Sequence, residues 1–96
     1  MPRPLGVEGN MPRLSEFFGI IISMYYSDHA PPHFHARYGE HEALVAIDTL
    51  ATIRGSRPRR ALALVLEWAA LHRTELRREW ENAQQGLPLS RIEPLE

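Results

Sequence analysis

The chain alternates between two kinds of hydrophobic pattern. Residues 17–26, FFGIIISMYY, are almost wholly apolar and rich in isoleucine and aromatics, which at this length predicts a strand. Its even side, Phe18, Ile20, Ile22, Met24 and Tyr26, is uniformly apolar, while Gly19, Ser23 and Tyr25 fall on the other. After Pro31-Pro32, residues 33–38 alternate again, with Phe34, Ala36 and Tyr38 on one side and His33, His35 and Arg37 on the other. Gly39-Glu40 supplies a turn. Residues 42–48 form a third strand with Ala43, Val45 and Ile47 on one face, and a short fourth strand over 52–54 ends at Gly55.

The period then changes. Ser56 is placed to cap a helix whose first turn holds Pro58, and no Pro or Gly interrupts the pattern before Gly86 and Pro88. Leu62, Val65, Ala69, Leu76, Trp80 and Ala83 share one stripe, with Glu67, Thr74, Arg78 and Glu81 opposite. The segment 87–96 is too apolar for a linker and too short to fold alone, so it is expected to dock on the domain or on a partner. Residues 1–10 carry two prolines and two glycines without periodicity and read as a disordered leader, making 11–96 the domain. The expected fold is α+β: an antiparallel four-stranded meander with one long C-terminal helix on one face (ββββα) and an apolar tail.

One helix cannot cover both faces of such a sheet. The other face is expected to present Ile21, Ser23, Tyr25, His33, His35, Arg37, Leu44 and Ala46, a mixed apolar, aromatic and basic surface suited to contact. With 96 residues, one small core is the natural arrangement. There is no cysteine, which removes disulfides and thiolate metal sites and fits a reducing cytoplasm. No apolar run is long enough to span a membrane and no signal peptide precedes the domain, so a cytoplasmic location is expected.

A formal net charge of −1 removes the simple argument for nucleic-acid binding. All eleven basic residues are arginine, however, and Arg54, Arg57, Arg59 and Arg60 crowd the strand-to-helix junction. With Tyr25 and Arg37 they form a weak case for RNA binding by stacking and phosphate pairing.

The densest chemistry lies in residues 28–35, DHAPPHFH. A structural or partner-facing role ranks first: Asp28 begins an Asx-type turn on the amide two residues on, and Pro31-Pro32 stiffens the corner in trans. A metal role ranks second, because His33 and His35 project from one strand face with Cβ atoms roughly 6.5–7 Å apart, and Asp28 or His29 supplies a third ligand if the corner folds back. A divalent transition metal is then the only cofactor indicated. Third is metal-independent RNA cleavage, with His33 and His35 as acid and base and Arg37 stabilising phosphate charge. His72 is expected on the covered side, bonded to a carboxylate or backbone group and apart from any such ion.

The string running from FFGIIISMYYSDHAPPHFHARYGEHEALVAIDTL through RPRRALALVLEWAALHRTELRREWENAQQGLPLSRIEPL resembles the small bacterial family called domain of unknown function 4160, over residues 11 to about 95. Its most specific pieces are Asp28-His29, Pro31-Pro32-His33-Phe34-His35, and the helical segment Glu67-Trp68 through His72. The resemblance implies a one-domain protein often encoded beside a partner of domain of unknown function 2442, in an arrangement similar to toxin–antitoxin operons, with no established activity. The resulting expectation is a protein-interaction module binding a small, operon-encoded partner protein or itself. The alternative is a metalloprotein or ribonuclease centred on Asp28, His29, His33, His35 and Arg37.

Overall fold

The computed structural model describes residues 11–56 and 58–96. The leader over 1–10 and Arg57 lie outside the described residues. The apolar run expected to form one strand is folded back on itself. Phe18 and Gly19 both have positive φ, 50° and 80°, and join β1 (Arg13–Phe17) to β2 (Ile20–Ser23) by a two-residue turn that pairs Phe17 with Ile20. Positive φ at both central positions matches the twist of a tight hairpin. A run with no polar break conceals such a turn, and Phe18, expected in the core, sits at the tip and is 58% exposed.

β3 (His33–Tyr38), β4 (His41–Ala46) and β5 (Thr52–Ser56) complete a five-stranded antiparallel sheet in sequential order, one strand more than the pattern predicted. Tyr38, assigned with Phe34 and Ala36 to the core side, lies at the hairpin end and is exposed.

The single helix is also corrected. α1 (Arg59–Leu71) and α2 (Arg73–Gln84) meet at His72, whose φ of −122° and ψ of 26° leave the helical region. The break is local, since His72 N–H still reaches the carbonyls of Trp68 and Ala69, and Leu76 N–H donates to His72 O at 2.9 Å. The His72 ring accordingly stays on the helix, its Nδ1 paired with the Glu75 carboxylate and its face near Trp68. Arg73 Nε donates to Ile47 O at 3.1 Å, tying the start of α2 to the chain after β4. Among the described residues no helix is long and apolar enough to cross a membrane.

The core lies between the inner sheet face and the helices. Leu14, Ile20, Ile22, Met24, Phe34 and Val45 meet Val65, Trp68, Ala69 and Leu76, all essentially buried. Trp68 is its centre, 5.4 Å from the Phe17 ring and 5.9 Å from Phe34. The chain beyond α2 returns to this core. Ile92 is buried and its N–H donates to Leu14 O at 2.7 Å, Trp68 Nε1 donates to Glu93 O at 2.8 Å, and the buried Glu79 carboxylate accepts Ser90 N–H at 3.0 Å. The tail thus docks within the same chain and gives the buried Trp68 N–H and Glu79 the partners that burial demands.

Candidate metal centre

The outer sheet face is not open along its whole length. Between β2 and β3 the chain crosses over it, pinned at several points: Met24 N–H donates to Pro12 O, Ser27 N–H to Ala83 O at the end of α2, and Gln84 Nε2 to Asp28 O at 3.3 Å. At its far end Ile47 N–H donates to Pro32 O at 3.0 Å, and the Ala30–Pro31 bond is cis, contrary to the trans corner expected. The Asx-type contact is shorter than expected: Asp28 Oδ1 accepts the amide of the next residue, His29, at 2.8 Å. These ties leave Oδ2 free to face β3.

His33 and His35 point to that carboxylate. The expectation that they sit on an uncovered face is corrected, since they are only 5% and 7% exposed. Tyr25 packs edge-on against His35 at 4.7 Å between centroids, and Trp80, from the end of α2, lies 5.2 Å from His33. His33 Nε2 is 3.0 Å from Asp28 Oδ2 and His35 Nε2 is 3.5 Å from the same oxygen. One ligand atom from each of the three residues lies within 4.8 Å of the others.

The remaining ring nitrogens decide what these atoms offer. His33 Nδ1 is 2.8 Å from Pro31 O, and His35 Nδ1 is 3.1 Å from Glu42 Oε2. Both partners only accept, so both Nδ1 atoms carry the hydrogen, and in the neutral rings both Nε2 atoms present lone pairs. Two lone pairs and a carboxylate oxygen then converge on one small volume, an arrangement that a cation or added protons must relieve. His35 Nε2 is buried and has no hydrogen-bond partner; its contact with Asp28 lacks hydrogen-bond geometry. Desolvation by burial raises the Asp28 pKa, but the His29 amide and the neighbouring His33 and His35 imidazoles outweigh it, and the net displacement is downward. The carboxylate is held in its anionic form.

The other residues named from the sequence are arranged differently. His29 is exposed and lines the hollow beside the triad without joining it. Arg37 is exposed and faces a separate hollow of about 420 Å³, with Ile21, Ser23, Tyr25 and Glu42. Arg59 and Arg60 are exposed at the start of α1. The proposed His33–His35–Arg37 trio therefore does not line one cavity. Strand alternation alone does not single out Glu42 as a site residue, although the Gly39-Glu40 turn pairs it with Arg37 and so places it diagonally across from His35, within reach of a long side chain.

A family model described as a domain of unknown function, DUF4160, matches residues 19–81. No curated protein and no solved structure matches the chain. The matched segment begins in the β1–β2 turn, runs through most of α2 and contains Asp28, His33, His35 and Glu42, well over half of the chain. The chain belongs to the DUF4160 family.

Proposed function

We propose that this protein is a metalloprotein in which Asp28, His33 and His35 hold one divalent transition-metal ion. The observation that carries this reading is the buried, unpartnered Nε2 of His35, aimed with His33 Nε2 at one carboxylate oxygen. Two imidazoles and a carboxylate suit zinc, iron, cobalt or nickel, and three protein ligands leave coordination positions for water or substrate, as catalytic sites do. The Nδ1 partners are of the kind that orient ligating histidines, a backbone carbonyl for His33 and a carboxylate for His35. An ion there would polarise a bound oxygen or lower the pKa of a bound water.

The test is elemental analysis of protein purified without an affinity tag, followed by melting with and without EDTA. One metal per chain, a lower melting temperature after chelation, and loss of both in His35→Ala and Asp28→Asn support the reading. Metal-free protein that neither binds zinc, cobalt, nickel or iron(II) nor responds to EDTA overturns it.

A second reading, binding of a small partner protein or a second copy, is favoured by the outer sheet face beside this centre. There Ile21 lines the hollow of about 420 Å³ next to Tyr25, which is 37% exposed, and Arg37. If this face is an interface, Ile21→Glu abolishes association in light scattering or co-purification while the monomer stays folded; unchanged association counts against it.

A further inference from the structure

We infer that the metal centre takes an oxyanion ligand, a carboxylate or a phosphate, that bridges the ion and Arg54. This rests on the metal reading above and deepens it by assigning the chemistry of the ligand.

The triad does not face bulk solvent on every side. It opens into a hollow of about 320 Å³ whose lining includes His29, Leu44, Ile53 and Arg54. That volume is at the small end of what ligand pockets occupy. The sheet register places Arg54 beside the triad, because His35 pairs with Leu44 on β4 and Leu44 pairs with Arg54 on β5. The three share one face, with Arg54 two strands from His35, a backbone separation of roughly 10 Å that an extended arginine largely spans. A register shift between Leu44 and Val45 leaves Ile53 as an extra residue on β5. Such a bulge redirects side chains, and both Ile53 and Arg54 line the hollow.

Charge selects the ligand. A divalent ion retains net positive charge after contact with the single carboxylate of Asp28, and Glu42 lies behind His35, on its Nδ1 side. Arg54 adds a second positive group, and among the described residues no carboxylate forms an ion pair with it. Arg77, by contrast, is paired with Asp48. A guanidinium offers a planar fork matched to carboxylate and phosphate oxygens. One oxygen on the ion and another on Arg54 would satisfy both, while Leu44, Ile53 and Tyr25 supply apolar walls for the remainder of a small molecule.

The experiment uses the full chain loaded with cobalt(II), whose visible spectrum reports its coordination. Phosphate and acetate are titrated in separate arms into wild type, Arg54→Gln and Arg37→Gln, with circular dichroism confirming that each is folded. Arg37 is the control because it is an exposed arginine of the same sheet that lines the other hollow. The expected result is a saturable spectral change in wild type and Arg37→Gln, with affinity about tenfold weaker in Arg54→Gln, the size of one lost charged hydrogen bond. Cobalt affinity itself should be the same in all three. The arm with the tighter response identifies carboxylate or phosphate as the preferred oxyanion. Equal oxyanion affinity in Arg54→Gln and wild type, or bound cobalt with no response to either anion, overturns the inference and leaves the metal reading standing. Failure of wild type to bind any of cobalt, zinc, nickel or iron(II) overturns both.

Discussion

Glu42 and His35 meet across the β3–β4 hairpin, Oε2 3.1 Å from Nδ1, although the strand register pairs Glu42 with Arg37 and His35 with Leu44. The diagonal contact fixes the imidazole tautomer and turns Nε2 toward Asp28. It makes Glu42 a positioning residue for the proposed ion.

Glu42→Gln keeps the size and one acceptor oxygen but removes the charge. Metal affinity should fall about 10- to 100-fold, the usual cost of losing such an outer partner, with little change in the stability of the metal-free protein. Competition against a chromophoric chelator measures the first and urea unfolding in EDTA the second. Undiminished metal affinity would separate Glu42 from the centre.

The acid limb of stability should depend on Asp28. Its folded pKa lies below the ordinary value of 3.8, so the unfolded chain binds the proton more tightly. The anionic carboxylate therefore stabilises the fold above that value, and the contribution is lost as pH falls through the folded pKa. In metal-free protein, the drop in urea midpoint between neutral pH and about pH 3 should be smaller in Asp28→Asn than in wild type. An equal drop in both would assign the acid sensitivity to other carboxylates.

Gly55 has φ of +101°, and a Cβ built on it would lie 2.1 Å from Glu42 O and 2.8 Å from Ala43 Cα. Backbone, not a movable side chain, occupies that space. Gly55→Ala should lower stability by about 2 kcal/mol or more, combining the unfavourable φ with displacement of β4. Because the displaced residue is Glu42, metal affinity should weaken as well, which chelator competition on the folded fraction would reveal. Wild-type stability would contradict the close approach.

Phe18 is a non-glycine residue with φ of 50° and its ring is mostly exposed. Asparagine tolerates this conformation far better and is favoured in tight hairpin turns. Phe18→Asn should raise stability by up to about 1 kcal/mol, read as a higher urea midpoint. A loss of stability would mean that the edge contact between the Phe17 and Phe18 rings, at 6.4 Å, outweighs the turn.

Much of the architecture was legible in local patterns. Period-two alternation placed Phe34 and Ala36 in the core and set His33 and His35 together on the other face, and the change to helical spacing after residue 58 marked the covering layer. Those signals are local because side-chain direction is set by backbone geometry over a few residues. The same locality hid the Phe18-Gly19 turn, where one greasy run becomes two strands, and the break at His72, which no Pro or Gly announces. It could not tell that Asp28 would be carried over the histidines, because that path depends on hydrogen bonds to Ala83 and Gln84, far along the chain. Nor could it choose between Arg37, close in sequence to the histidines but facing another hollow, and Arg54, brought beside them by two successive strand pairings. The residue types and the face of the two histidines were determined by the sequence itself. Their burial, their tautomers and their convergence on one carboxylate came only with the tertiary structure, because each depends on groups that packing brings in from other strands and from the helix end.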